Sequence, residues 1–214
     1  MSYLLTCGYN EKPSLSLVGD HYKFNIRQRK ALCRIALSQN RIDQIKKTQV
    51  SASYLKSKQI AIDGFNLLIF MESLLSGGYI FEAMDGVYRD IASIHGSYKK
   101  VEETTSAIRI LGLTFSQLLV SSVHWYLDSP ISNSGRLKSF MFHGPFDSSS
   151  WEVSVVHNPD RELIALDKGV VLSNDRVVLA GANRWFNLSK YLVEKYGKGN
   201  PHIIDWNQQP KQIM

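Results

Sequence analysis

The sequence has few cysteines and no long apolar run. Its 214 residues include only Cys7 and Cys33, too few for a disulfide framework or a four-ligand zinc site. The most apolar window, residues 65–75, contains Glu72 and is too short to cross a bilayer. No segment combines a basic start, an apolar stretch and a small-residue cleavage site. We therefore expect a cytoplasmic protein that has no membrane partner.

Internal repeats and low-complexity tracts are also absent. With 44% hydrophobic and 21% charged residues, the composition is that of a globular chain and excludes a disordered one. The length suits one sizeable domain, or a core with a small appendage.

The positive charge is concentrated in the first quarter of the chain. The net charge is +6, and residues 1–50 contain nine Lys and Arg against three Asp and Glu, so they account for the whole excess. This asymmetry favours a polyanionic partner, and nucleic acid is the first candidate; a solvated helix face is the alternative.

Residues 1–50 are predicted to form a small basic helical module. Asn25 is a suitable N-cap for a helix that begins near Ile26. Basic residues three and four positions apart fall on one face of that helix. The residues expected to contact nucleic-acid phosphates are Arg27, Arg29, Lys30 and Arg34. The polar stretch 48–58 is predicted to be a linker.

From residue 59 onward, strand-like runs alternate with helical segments, which predicts a mainly parallel sheet covered on both faces. The predicted strands are 59–63, 79–83, 122–128, 151–157 and 169–175. The predicted helices are 65–76, 98–120 with a break near Gly112, 132–142 after a turn, 159–166 and 184–197. Residues 198–214 are predicted to be a loosely held tail.

Four of these strands end at or just before an aspartate: Asp63, Asp128, Asp160 and Asp175. Parallel strands bring their carboxyl ends to one sheet edge, where open α/β sheets bind ligands. Several carboxylates at one place resist joint ionisation unless a cation compensates. Hard oxygen ligands favour Mg²⁺ or Mn²⁺, and such a metal suggests hydrolysis of a phosphodiester.

Each aspartate also has a purely structural explanation. An aspartate after a strand is a common N-cap of the next helix. Asp160 is the weakest member of the set, because the sequence Asn-Pro-Asp is itself a natural helix start, and Asp167 competes with it for the same role.

Two resemblances rest on these motifs. "IDGFNLL", "WYLDS" and "VVLSNDRVVL" resemble the acid-bearing strands of the NYN branch of PIN-like nucleases, over residues 59–182. The whole chain also resembles a family of uncharacterised prokaryotic proteins, most familiar from archaea. The motifs shared with that family include "IDGFNLLI", "SNSGRLK" and a late "S.D".

The first resemblance implies a PIN-like three-layer α/β domain over 59–197. It also implies that Asp63, Asp128 and Asp175 bind metal, that Asp160 completes the catalytic set and that Asn66 orients Asp63. The insertion 82–106 departs from the NYN pattern. Some PIN-like proteins bind RNA without cutting it.

Two further segments are candidate substrate contacts. The polar insertion is expected to reach over the strand ends, with Arg89 either contacting substrate or forming an internal ion pair and His95 as a candidate acid-base. The turn "SNSGRLK" is a candidate phosphate cradle, although a serine there is also an ordinary N-cap. The candidate cradle residues are Ser132, Ser134, Arg136 and Lys138.

The leading hypothesis is therefore a Mg²⁺- or Mn²⁺-dependent nuclease, an endoribonuclease with RNA favoured over DNA. The alternatives are a non-catalytic RNA-binding protein with a degenerate PIN-like domain and another metal-dependent phosphate hydrolase. Against the latter, no strand carries two aspartates in an Asp-x-Asp spacing. The sequence leaves open whether the chain forms a homo-oligomer.

Overall fold

A six-stranded parallel sheet forms the centre of the molecule. The structure, a computed structural model, describes residues 1–92, 98, 101–143 and 150–205. The strand order is β1-β8-β7-β2-β5-β6, and every neighbouring pair is parallel. The prediction of an α/β fold with a mainly parallel sheet is thus confirmed. The strands are β1 Gln49–Val50, β2 Gln59–Asp63, β5 Ser122–Asp128, β6 Trp151–Val156, β7 Val170–Leu172 and β8 Trp185–Phe186.

Helices cover both faces of this sheet. Ile60 and Ile62 of β2 pack into one core cluster, whereas Ala61 packs into the other, as the alternation of side chains along a strand requires. The helices of the first layer are α5 Gly64–Leu75, α6 Glu103–Gln117, α7 Ser134–His143 and α10 Leu188–Tyr196. The second layer contains α4 Gln39–Lys47, α8 Pro159–Ile164 and α9 Arg176–Gly181.

The N-terminal part of the chain contains four helices, and the last of them packs against the central sheet. They are α1 Ser2–Thr6, α2 Glu11–His21, α3 Ile26–Ile35 and α4. Asn25 caps α3 in a capping box with Gln28, which confirms the predicted helix start. Trp185 Nε1 donates to the Ile45 carbonyl at 2.7 Å, which fixes α4 against the sheet. The stretch predicted as a linker instead supplies β1, which pairs with β8 at the sheet edge.

A second, three-stranded sheet was mostly missed by the sequence prediction. It has the order β4-β3-β9, with β3 Ile80–Glu82, β4 Tyr88–Asp90 and β9 Ile203–Ile204. The β3–β4 pair is antiparallel, and its turn contains Gly86 at a φ of +81°. Residues 82–90 of the insertion predicted as a substrate clamp therefore belong to a hairpin, and the tail docks through β9.

Helices α6 and α10 differ from their predictions, α6 in its continuity and α10 in where it begins. Helix α6 runs unbroken through Gly112, where a Cβ would lie 3.3 Å from the Trp151 ring. The glycine therefore allows a close approach of helix and strand rather than a break. Helix α10 begins at Leu188, because Trp185 and Phe186 extend as β8.

None of the helices among the described residues has both the length and the apolarity needed to span a membrane.

Gly64 holds the turn between β2 and α5 against the neighbouring strand. A Cβ at this position would lie 2.5 Å from Leu127 Cδ2 and 2.9 Å from the Tyr126 carbonyl oxygen. We expect Gly64→Ala to lower the free energy of unfolding by about 1–3 kcal/mol, because β5 must shift to admit the methyl group. Urea denaturation measures this loss. Gly135→Ala in α7 is the control: its Cβ meets nothing within 4 Å, so equal effects of the two variants would contradict the packing argument.

Candidate functional site

The structure brings the four predicted aspartates to one edge of the sheet. Strands β7, β2, β5 and β6 are adjacent, and all four point the same way. Asp63 and Asp128 are the last residues of β2 and β5, and Asp160 and Asp175 follow β6 and β7 within a few residues. The four side chains form what we call the carboxylate row.

The members of the carboxylate row influence one another's ionisation. The pKa of Asp63 is raised to about 7, mainly by burial and in addition by the negative charges of Asp160 and Asp175. Partial desolvation raises the pKa of Asp160, with added repulsion from Asp175 and Asp128. Such mutual repulsion concentrates negative potential at this edge, which favours the binding of a cation.

Asp63 is buried and held by a neighbouring hydroxyl. Ser173 Oγ donates to Asp63 Oδ2 at 3.0 Å, which favours the charged form and partly offsets the burial. The Asn66 N–H is near enough to lower the pKa of Asp63, but Asp63 makes no capping hydrogen bond to α5. Asp63 therefore occupies the N-cap position of α5, but its side chain makes no capping hydrogen bond.

Asp175 is the one member of the row that caps a helix. Its Oδ1 accepts from the N–H groups of Val177 and Val178 at 2.7 and 3.3 Å, at the start of α9. Its own N–H donates to Ser173 Oγ at 3.0 Å. Ser173 therefore links Asp63 to Asp175. A serine two residues before an aspartate is a known turn pattern, which indicates the contact with the Asp175 N–H but not the contact with Asp63.

Asp128 and Asp160 have no capping role. The N-cap of α8 is Asn158, whose side chain accepts from the Arg161 N–H, so Asp160 lies in the first turn with its carboxylate exposed. Burial raises the pKa of Asp128, and nearby His157 opposes that rise. Asp128 Oδ1 is buried and has no hydrogen-bond partner among the described residues. A buried carboxylate oxygen without a partner is the kind of atom that a cation would satisfy.

The carboxylate oxygens of the row suit Mg²⁺ or Mn²⁺, but the described side chains do not enclose an ion. Carboxylate oxygens are the preferred ligands of both ions. Within the described part of the chain, no three His, Cys, Asp or Glu side chains are grouped closely enough to enclose a metal ion. Mg²⁺ usually keeps several waters and takes only one or two protein carboxylates together with substrate phosphates, so an open row fits such an ion.

Asn66 and Arg89 support the loop that carries Asp175. Asn66 Oδ1 accepts from the Asn174 N–H at 3.2 Å, so its side chain holds the loop after β7 rather than Asp63. Arg89 is 3% exposed and donates from Nε to the Asn174 carbonyl at 2.7 Å. Its other nitrogens bind both oxygens of Asp85 at 2.8 and 2.6 Å. Of the two roles predicted for Arg89, the structure shows the internal ion pair, with Asp85 as the partner, and this pair positions the loop.

The predicted phosphate cradle is only partly open. Ser134 is buried, and its hydroxyl lies 2.6 Å from the Asp128 carbonyl and 2.5 Å from the Ile131 carbonyl, so it fastens α7 to the end of β5. Ser132 and Arg136 are exposed, and Lys138 is half-buried. Arg136 and Lys138 therefore stay candidates for phosphate contacts, whereas Ser134 is structural.

The four basic residues predicted on the face of α3 differ in what they contact. Arg29 is committed to structure: it binds Asp20 at 2.7 Å and donates to the Phe24 carbonyl at 2.8 Å. Arg27 is exposed on the helix. Lys30 and Arg34 face Asp90 at the end of β4 closely enough to lower its pKa, which burial otherwise raises. These two cations therefore lie on the side of α3 that faces the end of β4.

Glu72 and Asp167 lie apart from the row. Glu72 accepts hydrogen bonds from the Tyr98 and Thr104 hydroxyls inside the core, so it neither pairs with a cation nor turns to the site. Asp167 precedes β7 and therefore lies at the opposite sheet edge. His95 lies outside the described residues.

The fold and the carboxylate row define a class: α/β proteins that carry an acidic site at the carboxyl ends of a parallel sheet. The chain belongs to the family of DUF5616, a domain of unknown function whose family model matches residues 52–191. The model of DUF434, a protein of unknown function, matches residues 1–48.

A relative supports this membership. An uncharacterised protein of Methanocaldococcus jannaschii is 32% identical over 200 residues, which cover 90% of this chain and 89% of the relative. The predicted resemblance to an uncharacterised family known from archaea is confirmed. No solved structure matches the chain.

Proposed function

We propose that the protein is a PIN-like, metal-dependent endoribonuclease that hydrolyses phosphodiester bonds at the carboxylate row. The observation that supports this proposal most strongly is the convergence of Asp63, Asp128, Asp160 and Asp175 at four adjacent strand ends, with a pKa of about 7 at Asp63. Among the four, only Asp175 makes capping hydrogen bonds from its side chain, so capping bonds do not explain the placement of the other three carboxylates.

Asp63, Asp128 and Asp175 would hold Mg²⁺ or Mn²⁺, and Asp160 would complete the set. Such an ion supplies neutralisation of phosphate charge and a hydroxide nucleophile at neutral pH. Asp175 offers Oδ2 for this purpose, since its Oδ1 is occupied by the α9 N-terminus. Asp128 offers the buried Oδ1 that has no partner within the described residues.

The remaining residues of the site position these acids. Ser173 donates to Asp63 and favours its charged form, and Asn66 and Arg89 fix the Asn174 backbone from two sides. Lys30 and Arg34 lie close to Asp90 at the end of β4 and would contact the RNA backbone, which makes binding sensitive to salt.

A non-catalytic RNA-binding protein is the second candidate, and the open arrangement of the acids favours it. Among the described side chains no ready-made set of three ligands exists, so binding of RNA without a metal requirement would be expected from this candidate. The two functions differ in a simple measurement: the candidate nuclease cuts bound RNA in Mn²⁺ and stops in EDTA, whereas the binding protein binds RNA and leaves it uncut in both.

The proposal predicts Mn²⁺-dependent cleavage of RNA by the purified protein. Asp63→Asn removes a direct metal ligand, and Ser173→Ala removes a hydroxyl that orients it, so we expect losses of more than about 100-fold and of about 10–100-fold. Labelled single-stranded and structured RNAs, with DNA of the same sequence beside them, measure the rates on denaturing gels.

Asp167→Asn is the matched control, because it removes the same charge at the opposite edge of the sheet and should cleave like the wild type. Absence of cleavage with both Mn²⁺ and Mg²⁺, or cleavage that survives Asp63→Asn, would exclude the proposed nuclease.

A further inference from the structure

A groove of about 560 Å³ runs between α3 and the three-stranded sheet. One face of that sheet packs on the main core, where Ile80 and Tyr88 are buried. Because side chains alternate along a strand, Phe81 and Ile204 lie on the opposite face and line the groove. The volume lies within the roughly 300–1,000 Å³ that is typical of ligand sites, so the groove has room for a nucleotide-sized group.

Exposed aromatic rings stand at two places along this groove. The Tyr79 side chain lines it and is 48% exposed, and its ring stacks on Phe81 with 6.3 Å between centroids and 20° between planes. Phe24 lines the groove next to the start of α3 and stacks on Tyr22, at 5.6 Å and 21°. Each exposed tyrosine is therefore supported by a phenylalanine, and such rings offer flat surfaces on which nucleobases of any kind can stack.

The polar groups of the groove favour an anionic partner. Arg27 is exposed on the first turn of α3. The side-chain oxygens of Asn25 and Gln28 accept backbone N–H groups in the capping box, at 3.0 and 2.9 Å, so their amide N–H groups are what they offer to a bound molecule. None of the described residues that line the groove is acidic. A purely apolar peptide would use only the walls, whereas a nucleic acid uses the rings and the donors together.

A line of cations connects the groove with the turns that carry the carboxylate row. Arg27, Lys30 and Arg34 are three and four residues apart, so they lie along one side of α3. At 1.5 Å per residue, Arg27 and Arg34 are separated by about 10 Å along the helix. Arg34 lines a smaller cleft together with Asn66 and Asn174, which belong to the turns after β2 and β7. A backbone that follows these cations therefore leads from the groove toward the acids.

We propose that the groove binds single-stranded RNA, with bases stacked on Tyr79 and Tyr22 and a backbone phosphate held by Arg27, and that the bound strand continues along α3 to the carboxylate row. A duplex hides the faces of its bases, so the groove selects unpaired RNA. This inference rests on the proposed function, because it assigns the form of the substrate and the place where it is held outside the acids.

The first test measures the contribution of the bases in the absence of cleavage. Fluorescence anisotropy in EDTA compares a labelled single-stranded RNA with its duplex and with an abasic strand of the same length. We expect the wild type to bind the single strand about tenfold more tightly than the abasic strand, and Tyr79→Ala and Tyr22→Ala to remove most of this difference. Tyr79→Phe keeps the ring and should keep the affinity. Tyr54→Ala is the matched control, because Tyr54 is 40% exposed but precedes β2, at the opposite edge of the central sheet.

The second test measures the contribution of the phosphate contact. Arg27→Gln should weaken binding of the RNA and of the abasic strand alike. It should also reduce the slope of log affinity against log salt by about 0.7, the value for one phosphate contact on a single strand. Lys168→Gln removes the same charge at an exposed position just before β7, at the opposite sheet edge, and should leave both the affinity and the slope unchanged.

Equal affinity of the wild type for the RNA and the abasic strand would overturn the inference. So would unchanged RNA binding in both Tyr79→Ala and Tyr22→Ala, which would indicate a protein segment as the occupant of the groove. Base-dependent binding that these variants lose, without any cleavage by the wild type in Mn²⁺, supports the inference and contradicts the nuclease. Cleavage by the wild type without base-dependent binding retains the nuclease and overturns the inference.

Discussion

Replacing Asp63 with asparagine is expected to stabilise the metal-free protein at pH 8. The folded-state pKa of Asp63 is about 7, well above its ordinary value of 3.8, because the carboxylate is buried among like charges. The folded state therefore binds this proton more tightly than the unfolded state. The stability that the proton provides is complete below pH 4 and is lost as the pH rises to about 7. At about 1.36 kcal/mol for each pKa unit, Asp63→Asn should recover about 2–4 kcal/mol at pH 8.

Urea denaturation in EDTA at pH 5 and pH 8 measures this difference. The wild type should lose stability between the two values, and Asp63→Asn should lose less, so the gap between the variants widens with pH. Asp167→Asn, whose side chain is exposed, is the matched control and should follow the wild type. Parallel wild-type and Asp63→Asn stabilities at the two pH values would show that Asp63 ionises freely in the folded protein.

The same measurement with Mn²⁺ connects stability to the proposed function. A cation bound at the row favours the charged form of Asp63, and it should stabilise the wild type in proportion to its affinity. Asp63→Asn should gain much less from the ion. A residue that destabilises the apo protein while it supports ligand binding is a typical feature of functional sites.

The sequence predicts the parts of this fold whose signals are local. Strands β2 and β5 are apolar or alternating runs that end on an acid, and the capping box at Asn25 marks α3. The two-residue strands β1 and β8 have no such signal, because they exist only through pairing with each other and with the core sheet. The second sheet joins β3 to a strand more than 100 residues later, which no local pattern indicates.

In the candidate site, too, the residues with a local sequence signal were predicted, and those whose roles depend on distant contacts were not. The four acids were visible because each follows a strand, and topology alone carries them to one edge. Ser173 was missed because its role depends on Asp63, which is 110 residues away in the chain. For Arg89 the sequence left substrate contact and an internal ion pair open, because a cation in a polar insertion normally faces solvent. Arg89 is buried because its guanidinium pairs with Asp85, four residues earlier in the same hairpin.

We expect the buried Asp85–Arg89 pair to have the largest effect on stability among the predictions made for this protein. We expect Arg89→Met to lower the free energy of unfolding by about 3–5 kcal/mol, because the Asp85 carboxylate is left fully buried without its cation. Arg136→Met, at an exposed cation, is the control and should change stability by less than about 0.5 kcal/mol. Urea denaturation of both variants gives the comparison, and similar losses would contradict a special role for the pair.

The double variant Asp85→Asn/Arg89→Met separates the ion pair from the positioning role of Arg89. Removing both charges should restore much of the stability, since an asparagine at 85 still accepts from the Val87 N–H as Asp85 does at 3.1 Å. Cleavage should stay low, because the Asn174 carbonyl has lost the Arg89 donor that holds the loop of Asp175. If cleavage recovers together with stability, Arg89 acts through the fold alone. If it does not recover, Arg89 is a positioning residue for the carboxylate row.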